Sequence, residues 1–168
     1  MDIGRDPVDP SASSSSTELP RQSDQQMTYH ADTRLPSGQV AVLVDPGSKG
    51  NLCGSDLVRE CAVAAYKSGL MPEAFKREKA LNVIGVGKGS QECNYDVRLP
   101  VAMPRAHGNG TLTGFFRTPV IDGSALPALW GIESLIENRA IIDFTTLQVH
   151  LTGPGESTID LSPGTESL

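Results

Sequence analysis

The run Val40-Ala41-Val42-Leu43-Val44 feeds apolar side chains directly into Asp45-Pro46-Gly47-Ser48, and no other stretch constrains the chain as tightly. Valine is stiff at χ1 and packs well on a pleated surface, so residues 39–44 are expected to form a strand. Their near-continuous apolar character predicts burial on both faces. Pro46 and Gly47 then end the strand in a tight turn. A single carboxylate, Asp45, is thereby delivered at a strand end. Alone, an Asp before such a turn is an ordinary turn former, so the surrounding segments must decide whether it carries chemistry.

With 168 residues, 38% of them apolar, the chain can build one domain with a proper core but not two. The net charge of −6 and the scatter of the 14 Lys and Arg argue against a nucleic-acid surface, which needs a concentrated basic patch. No apolar run approaches the roughly 18 residues of a membrane span, and the N-terminus is acidic and Ser-rich where a secretory signal is basic and then apolar. A soluble, intracellular, cytoplasmic protein with neither nucleic acid nor membrane as partner is the expectation. Cys53, Cys61 and Cys93 are odd in number and widely spaced, which fits reduced structural thiols better than a disulfide framework or a zinc site. His30, His107 and His150 lack the spacing that sets two ligands on one helix face, so no metal and no cofactor is expected.

Residues 1–34 are rich in Ser, Asp, Gln and Pro and poor in branched apolar side chains, the composition of a disordered tail. Residues 153–168 return to Gly, Pro, Ser and Thr, and a second disordered tail is expected there. The folded unit is placed at 35–152. Within it, Ser55 and Asp56 are candidate caps for a helix whose positions Leu57, Val58, Cys61, Ala62, Ala65 and Tyr66 recur at helical spacing, with Gly69 and Pro72 closing it. Residues 81–84 predict a strand, and residues 96–103 its returning partner. Further strands are expected at 114–121, 140–144 and 147–151, and a short helix at 131–138. The predicted class is mainly β, a closed barrel-like lobe with one or two short helices.

Between the paired strands lies Gly85-Val86-Gly87-Lys88-Gly89-Ser90. It is not a phosphate loop, because Asn82 and Gly89 stand where the Walker pattern requires Gly and Ser or Thr. Nor is it a dinucleotide fingerprint, since Ser90 replaces the third Gly and no helix follows. A hairpin tip is the better reading, and its glycines allow close approach to a ligand and opening of the hairpin. A third piece follows: Leu126-Pro127-Ala128-Leu129-Trp130-Gly131 before a short helix and the apolar strand Ala140-Ile141-Ile142-Asp143-Phe144. Asp122-Gly123-Ser124 is read as a turn.

The ordered set of Asp45-Pro46-Gly47, Gly-rich hairpin and apolar-apolar-Gly turn resembles the retropepsin-like aspartic peptidases of retroviruses and retrotransposons, over residues 35–151. The resemblance implies that Asp45 is the catalytic acid, with Pro46, Gly47 and Ser48 as the active-site loop. It implies a flap formed by Gly85, Val86, Gly87, Lys88 and Gly89, and a loop support formed by Leu129, Trp130 and Gly131. The Ser-rich N-terminal segment and the Asn51-Leu52-Cys53 continuation look like those of domains embedded in retroelement polyproteins. The chemistry needs two carboxylates sharing a proton. With one Asp-x-Gly turn per chain, the second must come from a second copy, so a homodimer acting on extended polypeptide is implied. The chain departs from the family at Pro46, where Thr or Ser supplies a hydroxyl and an N–H that interlock with the partner's loop. An impaired peptide-binding or dimerisation module is therefore the alternative, and a small β-rich binding domain a third reading.

Overall fold

The structure, a computed structural model, describes residues 35, 38–86, 89–108 and 110–162. Along the chain run β1 (Val42–Asp45), β2 (Cys53–Gly54), α1 (Ser55–Lys67), β3 (Glu73–Ile84) and β4 (Ser90–Pro104). A 3-10 turn (Ala106–Gly108), β5 (Thr111–Ile121), β6 (Ala128–Gly131), α2 (Ile132–Glu137), β7 (Ala140–Asp143), β8 (Gln148–Leu151) and β9 (Ser157–Asp160) follow. The fold is mainly β, as expected. The strands form three sheets rather than a closed barrel: β1-β6, β2-β5-β4-β3 and β7-β8-β9.

The central sheet is antiparallel through β3-β4-β5, with β2 added parallel to the end of β5. β3 begins at Glu73, well before the expected residue 81, because Glu-Ala-Phe-Lys-Arg-Glu-Lys has no apolar alternation from which to read a strand. It is an edge strand, exposed along most of its length, and its charges discourage pairing with another chain. Two ion pairs fasten it to β4, Arg77 with Asp96 and Glu73 with Arg98.

α1 packs over the inner face of this sheet. Leu57, Val58 and Cys61 meet buried Cys53, Val97, Leu99, Phe116 and Val120, while Tyr66, expected on the apolar face, is exposed. The expected side-chain cap is also different: Gly54 is the N-cap, and no side chain caps it. Ser55 is spent elsewhere, its buried Oγ accepting the Gly123 N–H at 3.0 Å. The helix ends as expected at Gly69 (φ 75°). Gly69 N–H bonds the Tyr66 carbonyl and Leu70 N–H the Ala65 carbonyl, so a left-handed glycine satisfies the last turn.

β7 and β8 form a hairpin whose turn is organised by Asp143, which accepts the Thr145 N–H at 2.8 Å and the Thr146 hydroxyl at 2.8 Å. The expectation of a disordered segment from Gly153 fails over Ser157–Asp160, which is β9 and pairs with β8. Its alternation, with Ser157 inward and Thr158 and Ile159 half-buried, completes the sheet over buried Val149. The tail expected at 1–34 and the last residues, 163–168, lie outside the described residues. Among the described residues, no helix is long and apolar enough to cross a membrane.

Candidate active site

β1 is flanked on one side by β6, parallel and in the register Val42↔Ala128, Leu43↔Leu129, Val44↔Trp130 and Asp45↔Gly131. This pairing unites the Asp45 turn with the Leu129-Trp130-Gly131 segment. β1 is shallower than expected, since Leu43 is 40% exposed and the neighbouring residues are half-buried. The two-stranded sheet leaves one face of β1 to solvent, which the apolar run did not foretell.

At the end of β1, the Ser48 N–H bonds the Asp45 carbonyl at 3.1 Å and closes a turn with Pro46 and Gly47 at its centre. Proline pre-sets the φ that the second position of such a turn requires, so Pro46 costs the local backbone nothing. The Gly47 N–H donates to Asp45 Oδ1 at 3.0 Å, which orients the half-buried carboxylate. A Cβ on Gly47 would stand 3.2 Å from that same oxygen, so glycine here keeps room for the bond. Ser48 Oγ bonds the Gly50 carbonyl at 2.7 Å and stiffens the loop from within.

The loop is clasped by the start of α2. Ile132 N–H bonds the Ser48 carbonyl at 2.8 Å and Glu133 N–H the Lys49 carbonyl at 3.1 Å. Gly131 lies so close beneath Gly50 that a Cβ would overlap the Gly50 carbonyl, which is the physical reason for glycine there. Leu52 and Leu129 exchange backbone hydrogen bonds of 3.3 and 2.8 Å. β6 is thus held between β1 and the continuation of the Asp45 loop.

Asn51, named in the sequence only as the start of the Asn51-Leu52-Cys53 continuation, is the member of this site to which reading the chain gave no role. Its Oδ1 accepts the Gly131 N–H at 3.0 Å and its Nδ2 donates to the Arg117 carbonyl at 2.9 Å, tying the loop to β6 and β5 at once. The available signal was a lone amide side chain directly before the apolar pair Leu52-Cys53. What it bonds is set by strands distant in sequence. Lys49 and Glu133 also meet, at 3.8 Å, but both are exposed and the pair contributes little.

The expected hairpin forms between β3 and β4, pairing Ile84 with Ser90. Gly85 (φ 92°) and Gly89 (φ 76°) adopt the left-handed region at its tip, while Gly87 and Lys88 lie outside the described residues. Val86 packs with Val83 and Leu126 against buried Leu52, Cys93, Ile121 and Leu129. Val86, at the β3 end of the turn, therefore packs onto the apolar cluster that includes Leu52, which follows the Asp45 loop, and Leu129 of β6. Asp122-Gly123 is a turn, as read.

No family model matches the chain, and no curated protein matches it. Among solved structures, it is similar to the crystal structure of the retroviral protease-like domain of Ddi1 from Leishmania major. The identity is 17% and the TM-score 0.49, over 74% of this chain and 86% of that one.

Proposed function

We propose that this chain is a retropepsin-like aspartic endopeptidase domain, of the kind carried in retroelement polyproteins, acting as a homodimer on extended polypeptide. The observation that carries the reading is the Asp45 carboxylate, oriented by Gly47 N–H in a loop clasped by β6 and α2, with Val83 and Val86 of the β3–β4 hairpin packed on the apolar cluster of Leu52 and Leu129. In the dimer, each copy supplies one such carboxylate. One member of the pair takes a proton from water while the other protonates the scissile carbonyl, and the two titrate as a unit. Exposed Leu43, Ile141, Phe144 and Leu147 supply apolar surface for a second copy.

A second reading, a non-catalytic peptide-binding or dimerisation module, is favoured by Pro46, which has no hydroxyl and no N–H to offer a partner's loop. Digestion of a peptide library by the parent, Asp45→Asn and Pro46→Thr proteins decides between them. The peptidase reading expects cleavage by the parent between about pH 3 and pH 7, blocked by a statyl inhibitor and lost in Asp45→Asn. A folded, dimeric parent that cuts nothing, with hydrolysis appearing in Pro46→Thr, favours the module. A chain monomeric at micromolar concentration and inert in all three forms overturns both.

A further inference from the structure

The far end of the β4–β5 hairpin holds a cavity of about 540 Å³, lined by the loop after β4 and by β8, β9 and the turn between them. It is separate from the Asp45 loop. Asn51 meets β5 at Arg117, whereas the cavity opens beside the first residues of β5, on the order of 20 Å further along the strand. Its volume lies within the range of small-molecule sites.

The lining is polar and under-used. Among the described residues, the guanidinium of Arg105, a half-buried residue, has neither an ion pair nor a hydrogen-bond partner. The Ser157 hydroxyl is buried without a partner, and Ser157 is 9% exposed. A sealed hydroxyl with nothing to bond is uncommon in a folded chain. His107 is held at φ 59°, a conformation unusual for a residue with a Cβ, and its Nε2 stands 3.4 Å from Gln148 Nε2. His150 Nδ1 meets Thr158 Oγ1 at 3.0 Å, leaving Nε2 with no partner among the described residues. Gln148 itself is fixed by donating to Asp160 Oδ1 at 3.0 Å.

We infer that this cavity binds a small carboxylate. The unpaired guanidinium offers a planar fork of donors that fits a carboxylate by two parallel hydrogen bonds, with the imidazoles and Thr158 as further polar partners. Exposed Glu156 on the lining adds a like charge that weighs more heavily against a dianion than against a monoanion, which selects carboxylate over phosphate.

N-acetylalanine, its amide and inorganic phosphate, titrated separately into the isotopically labelled full chain and followed by NMR, test this. Expected are shifts of the Arg105, His150 and Thr158 signals with N-acetylalanine, affinity at least tenfold weaker for the amide and for phosphate, and tenfold loss in Arg105→Gln. Arg117→Gln, an exposed arginine outside the cavity, retains the affinity. Absence of shifts at millimolar concentration, equal response to acid and amide, or phosphate binding the more tightly overturns the inference. The comparison of acid with amide needs no variant, so it stands even if Arg105→Gln fails to fold.

Discussion

At the residue scale, the support of the Asp45 loop rests on positions where size or one polar atom decides. Gly131→Ala pushes a methyl group into the Gly50 carbonyl, with backbone on both sides and no flexible side chain to yield. The expected loss is about 1–3 kcal/mol of unfolding free energy, read from a denaturant titration. Asn51→Ala strips the buried Gly131 N–H of its acceptor and leaves the Arg117 carbonyl without its donor. A similar loss of about 1–3 kcal/mol is expected in the same titration, since a polar group left unsatisfied costs its desolvation. Cys53 offers a different test. Burial pushes its thiol up from an ordinary 9.0 to about 12, with Cys61 nearby adding to the shift. The folded chain keeps that proton while the unfolded chain releases it above pH 9.0, so the contribution is full below pH 9.0 and is lost as pH rises toward about 12. At about pH 8, mass spectrometry after iodoacetamide treatment is expected to find Cys53 unmodified until denaturant is added.

At the element scale, β9 is the informative case. Its pairing with β8 covers one edge of the strand that carries Val149, which is 1% exposed. A chain ending at Gly153 leaves that edge open and uncovers the valine, so it is expected to unfold at lower denaturant concentration and with faster amide exchange along β8 than the full chain. An unchanged midpoint would mean that β9 only decorates the sheet. Residues 153–168 read as a tail because their Gly, Pro and Ser content is that of loops, and a four-residue strand needs only a neighbouring edge to form. β3 escaped recognition over residues 73–80 for the opposite reason. An exposed edge strand has no buried face to impose alternation, and its charges meet β4 partners that sequence order does not reveal.

At the scale of the whole molecule, the proposed dimer makes Pro46 measurable. If two copies meet at the Asp45 loops, Pro46→Thr supplies one new hydroxyl and one new N–H from each. At about 0.5–1.5 kcal/mol net per hydrogen bond, a symmetric pair is expected to tighten dimerisation by about fivefold or more. Sedimentation equilibrium reads this directly, and an unchanged or weaker dimer constant counts against the loops meeting at the axis. Local structure does not oppose the exchange, because Pro46 is exposed and its turn is closed by backbone groups of Asp45 and Ser48.

Several features were legible in the chain because neighbours in sequence determine them. The Asp45 turn follows from a valine-rich run meeting Pro-Gly, α1 from helical spacing closed by Gly69, and the β3–β4 hairpin from glycines that tolerate positive φ. What only the tertiary structure decided is which distant segments meet: β1 beside β6, Gly131 beneath Gly50, and Asn51 bonded to both β5 and β6. It also decided that the strands divide into three sheets instead of closing a barrel, and that an unpaired arginine and a buried hydroxyl share one cavity. Propensity and periodicity report the chain's preferences over a few residues, whereas strand pairing, close backbone approach and the matching of polar groups are settled by the compact whole.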